Sequence, residues 1–204
     1  MHSHWNENQI HLRGRLTEVP RVSHINHDTT YCLLPLAVRR LSGAEDRLHV
    51  MAARPMLEGL TLEPGAPLGV SGEVRTFNNR SGVGSRLVVS VFAKALSQEE
   101  GVEDENRLEL AGTLCKPPAL RSTPLGRTIC DMILAVNRRY GRADYLPCIA
   151  WGSLAHRCGA MAVGDPLRLA GRLQSRDYTK EIDGQLQART AFEVSIMSLL
   201  PPGP

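Results

Sequence analysis

Asn106-Arg-Leu-Glu-Leu-Ala-Gly-Thr-Leu114 decides the fold, because it repeats Asn8-Gln-Ile-His-Leu-Arg-Gly-Arg-Leu16 at an offset of 98 positions. Working outward, Leu36-Ala-Val38 matches Leu134-Ala-Val136 at that offset, and Asp46-Arg-Leu48 matches Asp144-Tyr-Leu146. After one inserted residue, Gly65-Ala-Pro-Leu68 meets Gly164-Asp-Pro-Leu167 and Gly72 meets Gly171. Val89-Ser-Val91 then matches Val194-Ser-Ile196, which gives the second copy about six further residues before its last strand. Blocks that share one offset mark a duplicated domain.

Each copy shows the same order of elements. An apolar run interrupted by a glycine (Gly14; Gly112) reads as a strand bent at a barrel corner. A loop, a long strand (31–40; 129–140) and a third strand (48–53; 145–151) follow. A short helical segment (56–62; 154–161) separates these from a fourth strand (68–76; 167–176) and a fifth (86–94; 189–199). Five strands with one short helix between the third and fourth form the element list of an OB barrel. A β-sandwich is the alternative, disfavoured by the small size of each copy. The expected fold is all-β: two tandem OB-fold barrels at 8–96 and 106–199, joined by the acidic segment 97–105, read as a solvated linker.

Charge follows this division. Residues 1–98 carry 11 Lys/Arg against 8 Asp/Glu, residues 99–105 five acids and no base, and residues 106–204 carry 13 against 8. Two mildly basic halves are thus separated by an acidic spacer. Aromatics are only 4% of the chain, so clustered ones are informative. Five cysteines without CxxC spacing read as buried, reduced thiols. The amino-terminal residues show no signal peptide and no segment reaches the length of a membrane helix, so a cytoplasmic protein without membrane association is expected.

In the third strand of the second copy, Tyr145, Pro147, Ile149 and Trp151 share one face and Leu146, Cys148 and Ala150 the other. A strand burying one face should turn polar residues outward, yet the first of these faces carries two aromatics. Arg138, Arg139 and Arg142 stand beside Tyr140 in the preceding turn. Aromatic plates among arginines suit unpaired bases and their phosphates. The other reading is that Tyr145 and Trp151 pack under a neighbouring element.

The second copy resembles bacterial single-stranded DNA-binding proteins. The resemblance rests on Asn106 to Gly112, on Pro118 and Arg121 in the following loop, and on Leu134-Ala-Val-Asn-Arg-Arg-Tyr140. It extends through Tyr145–Gly152 and Gly171-Arg-Leu-Gln-Ser-Arg-Asp-Tyr178. It implies base stacking on Tyr140, Tyr145, Trp151 and Tyr178, with phosphate contacts from Arg121, Arg138, Arg139, Arg142, Arg176 and Lys180. It further implies sequence-tolerant binding and protection of single-stranded DNA in replication, recombination or repair, and a homodimer presenting four barrels; Ile10–Leu16 and Leu108–Leu114 are the expected contact strands, because an open barrel edge invites pairing. The alternative is a primosomal-type OB module that docks proteins in replication restart. Family members usually end in an acidic recruiting tail, whereas this sequence stops at Pro201-Pro-Gly-Pro204; replication or repair proteins stay candidate partners.

The first copy carries Arg47, His49, Met51 and Ala53 where the second has Tyr145, Pro147, Ile149 and Trp151. Phe77 is the one plate expected there, so this barrel is read as structural or dimer-forming, with a degenerate binding face. His2-x-His4 and His24-x-x-His27 lack further ligands in sequence, and Asp177, Glu181 and Asp183 read as solvated carboxylates on a hairpin tip. No nucleophile, phosphate-cradling or catalytic-metal motif is found. The expectation is no enzyme, no cofactor and no metal.

Overall fold

The structure is a computed structural model describing residues 7–79, 85–182 and 184–201, apart from the side chains of Arg139 and Ile182. His2, His4, Asp183 and the last three residues of the Pro201–Pro204 tail lie outside the described residues.

The first repeat forms β1 (Asn8–Leu16), β2 (Arg21–Asn26), β3 (Thr29–Arg39), β4 (Glu45–Ala53), β5 (Pro67–Asn78) and β6 (Leu87–Ser97). The second forms β7 (Glu105–Leu114), β8 (Ala119–Ser122), β9 (Thr128–Asn137), β10 (Ala143–Trp151), α1 (Ser153–Gly159), β11 (Pro166–Ile182) and β12 (Gln185–Leu199). Alternating apolar residues drive the pairing. Ile10, Leu12 and Leu16 of β1 are buried, as are Leu68, Val70 and Val74 of β5, while their sequence neighbours lie on the other face.

The chain divides into two compact units. The one built mainly from the first repeat takes in the described residues of Gln9–Arg107 together with those of Gln174–Ala191. The other takes in Leu108–Leu173 and the described parts of Met1–Asn8 and Phe192–Pro204. In the first unit the strand order is β2-β3-β4-β6-β5-β1, and β1 also pairs with β3, so the sheet closes on itself. In the second the order is β8-β9-β10-β12-β11-β7, closed by β7 on β9. Within each, one parallel pair recurs: β4 with β6 and β10 with β12.

The glycines of the repeat mark that closure. A Cβ on Gly14 would run into the Ala37 carbonyl oxygen, and one on Gly112 into that of Ala135. Only a bare backbone fits where the first strand meets the closing one.

Several expectations change. The segments read as loops after the first strand form β2 and β8, so among the described residues each repeat contributes six strands rather than five. The first-repeat helix is one 3-10 turn, Arg54–Leu57. Pro55 lies in its first turn, and the left-handed Gly59 at φ 78° follows it, a conformation that does not continue a helix. The last strands align differently from the sequence match: β4 pairs Val50 with Val91, and β10 pairs Cys148 with Val194. Val91 therefore corresponds to Val194, two positions from where the Val-Ser motif places it.

The acidic segment is not simply solvated. Glu105 begins β7, and its carboxylate accepts a hydrogen bond from Arg13 Nε at 3.0 Å. Asp104 accepts from the Arg39 backbone N–H at 2.6 Å. Val102, Glu103 and Asp104 line a groove with Arg15, Arg39 and Arg40. Opposite charge on the first repeat holds the spacer down.

The outer arm of the β11–β12 hairpin belongs to the compact unit of the first repeat. There the Ser175 backbone N–H donates to Asp46 Oδ1 at 2.9 Å, and Ser175 Oγ accepts from the Arg47 backbone N–H at 2.9 Å. Cys32, Cys130, Cys148 and Cys158 are buried and Cys115 partly so, all as free thiols. Among the described residues no helix is long and apolar enough to cross a membrane.

Candidate nucleic-acid interface

On β10 the core face is Leu146, Cys148 and Ala150, all buried. The opposite face carries Tyr145, 52% exposed, and Trp151, 40% exposed. Between them Ile149 is only 4% exposed, so the outward face is two aromatic ends around an apolar floor. Tyr145 and Trp151 are six residues apart, about 20 Å along a strand. Antiparallel register sets Ala135 opposite Tyr145, Ile133 opposite Pro147, Asp131 opposite Ile149 and Ile129 opposite Trp151. On β8, Arg121 stands opposite Ile129. One sheet face thus gathers two plates, an apolar floor and an arginine.

Arg121 is engaged there: it forms a two-point ion pair with Asp131, which raises its already high pKa. The pair is exposed at both ends, so Asp131 holds the guanidinium loosely and a phosphate can compete for it.

Tyr140 caps the neighbouring turn. It is 95% exposed and sits at φ 64°, ψ 35°. That left-handed conformation disfavours a tyrosine by about 1–2 kcal/mol. Arg142, also in this turn, is exposed. The Arg139 side chain lies outside the described residues.

Arg138 has a different position. Its Nε and Nη2 grip both oxygens of Asp144, whose side chain is fully buried. The first repeat builds the same pair at the same offset, Arg40 with Asp46, again on a fully buried carboxylate. A duplicated buried ion pair fastens each β-hairpin base, so Arg138 has a structural task that the sequence reading, which grouped it with phosphate ligands, did not identify. The signal was legible: Arg-x5-Asp recurs in both copies.

Tyr178, Arg176 and Lys180 lie on the β11–β12 arm, within the first repeat's compact unit. The Arg176 guanidinium stands 5.7 Å from the centre of the Tyr178 ring, a cation–π contact. Of the two carboxylates described on this arm, Asp177 accepts from the Thr190 hydroxyl at 2.7 Å and Glu181 is exposed.

The first repeat's matching face carries Arg47, His49, Met51 and Ala53. Burial, and then the positive charge of Arg21, lowers the pKa of His49, so at neutral pH this histidine adds little charge. Phe77 is 55% exposed. His27 and Asp28 adopt positive φ at the tip of the β2–β3 hairpin. Among the described residues no three His, Cys, Asp or Glu side chains gather as a metal group. Burial raises the thiol pKa of Cys148 and pushes that of Cys158 up to about 11, which keeps both protonated and unreactive.

These features define a closed β-sheet unit with an aromatic, cation-flanked outer face. Residues 105–200 match the single-strand binding protein family. Single-stranded DNA-binding protein A of Bacillus subtilis is 33% identical over 104 residues, 48% of this chain and 60% of that protein. The chain therefore spans about three fifths of that relative's length. The single-stranded DNA-binding protein of Thermus aquaticus is 28% identical over 216 residues, covering 91% of this chain and 81% of that one. The crystal structure of the wild-type Thermus aquaticus protein superposes with a TM-score of 0.75 at 26% identity, over 97% of this chain and 93% of that chain. The resemblance to bacterial single-stranded DNA-binding proteins thus holds by sequence over the second repeat and by structure over nearly the whole chain.

Proposed function

We propose that this protein binds single-stranded DNA without sequence preference and protects it during replication, recombination or repair. Each compact unit is read as an OB barrel, a fold whose exposed strand face takes oligonucleotides. The observation that carries the reading is the β9–β10 face, where Tyr145 and Trp151 stand exposed at the two ends of an apolar floor. Bases stack on these plates and on Tyr140, while Arg121 and Arg142 meet phosphates. Tyr178, Arg176 and Lys180 add a further plate and charges from the hairpin arm. The role is binding without catalysis.

A homodimer with four barrels is proposed as the working assembly. The first strands of the repeats, Ile10–Leu16 and Leu108–Leu114, are the proposed contact elements.

Titration of the full chain with an oligothymidylate, read by tryptophan fluorescence, tests the function. Quenching that disappears with Trp151→Phe, together with weakened binding in Trp151→Ala, is expected. Equal affinity of wild type and Trp151→Ala at moderate salt would sink it.

A further inference from the structure

We infer that the first unit holds a second base-stacking site, centred on Tyr31 rather than on the positions used by the second unit. The inference rests on the single-stranded DNA reading above and extends it to a surface that the sequence alone presents as degenerate.

In the second unit Trp151 stands directly opposite Ile129. At the same place in the first unit Ala53 stands directly opposite Tyr31. Large and small have exchanged partners across one cross-strand pair. Directly opposed residues share a face, with Cβ atoms about 4.5–5.5 Å apart. An aromatic ring is therefore kept on the face, shifted sideways by one strand.

Tyr31 does not stand alone. The His24 ring stacks on it, 5.1 Å between centres and 16° between planes. Phe92 leans against it at 5.3 Å and 45°. At the corresponding register positions the second unit has Arg121 opposite Ile129 and Ser195 beside Ile149, whereas the first has His24 opposite Tyr31 and Phe92 beside Met51. Three rings replace three non-aromatic side chains. They lie outside the core, since the adjacent Cys32, Ala52 and Val91 fill the buried side, while His24 is exposed and Tyr31 and Phe92 are half-buried. Exposed Arg21, Arg54 and Lys94 border this patch in sequence, with Lys94 paired to Glu73. A ring pile on a sheet face bordered by cations is what a nucleobase and its phosphate require.

The full chain carries two tryptophans, Trp5 and Trp151. Replacing both by Phe and introducing Tyr31→Trp leaves position 31 as the sole reporter. Oligothymidylate should quench it to an extent comparable with Trp151 in the chain carrying Trp5→Phe alone. Quenching at Trp151 but none at position 31 would overturn the inference while leaving the function intact. No binding of labelled oligothymidylate by any of these chains, wild type included, would bring down the function and the inference together. As a second measurement, Tyr31→Leu should weaken binding about fivefold to 150-fold and Tyr31→Phe hardly at all. Equal affinities for the Leu and Phe variants would also refute the site.

Discussion

Across β9 and β10 a tryptophan faces an isoleucine, Trp151 and Ile129; across β3 and β4 a tyrosine faces an alanine, Tyr31 and Ala53. The two repeats agree where folding needs them to and differ where a ligand would touch. Both keep a glycine where the sheet closes and a buried Asp gripped by an Arg six positions earlier. Their outward faces share almost no side chain. Duplication has preserved the constraints of closure and buried charge, and left the exposed face free to move its aromatics.

The largest effect should fall on the shared framework. Arg138→Ala strands the buried Asp144 carboxylate, and Arg40→Ala does the same to Asp46. Each should lower stability by about 3–5 kcal/mol in urea unfolding, because one partner of a buried pair is removed. Retained stability in Arg138→Ala alongside weakened DNA binding would return Arg138 to the phosphate ligands and break the equivalence of the hairpins.

The faces should separate the units next. Trp151→Ala is expected to cost about 1–3 kcal/mol of oligothymidylate affinity, and Tyr145→Ala a similar amount or less. Arg47→Ala, at the position of Tyr145 in the other repeat, should cost less than either. If anisotropy titrations show equal losses for Arg47 and Trp151, the division drawn from these strands fails.

The closing glycines sharpen the likeness. Gly14→Ala and Gly112→Ala each press a methyl group into a carbonyl of the closing strand, and should destabilise by about 1–3 kcal/mol. Thermal melting that tolerates one and not the other would show that the two closures are not alike.

The smallest effect belongs to the surface cations. For exposed Arg142, substitution by Ala should reduce the slope of log affinity against log salt by about 0.7, the release expected for one phosphate contact on a single strand. An unchanged slope would leave Arg142 as solubilising charge.

The amino-acid sequence determined a good deal unaided. The 98-residue offset, the period-two burial of the strands and the aromatics at 140, 145 and 151 were all legible, because they depend on local spacing and side-chain chemistry. Strands β2 and β8 were not, since their residues are exposed throughout and carry no apolar alternation, so that pairing to β3 and β9 is what marks them as strands. The length of the last-strand offset was missed because a Val-Ser pair recurs in sequence without preserving register. Tertiary structure alone decided which side chain stands opposite which, since register is a property of two strands. It thereby set Tyr31 directly opposite Ala53, at the place where Ile129 faces Trp151. It also decided that the acidic spacer lies on Arg13 and Arg39 and that Arg138 is held by a buried carboxylate, because a charge's role depends on the partner the fold brings within reach.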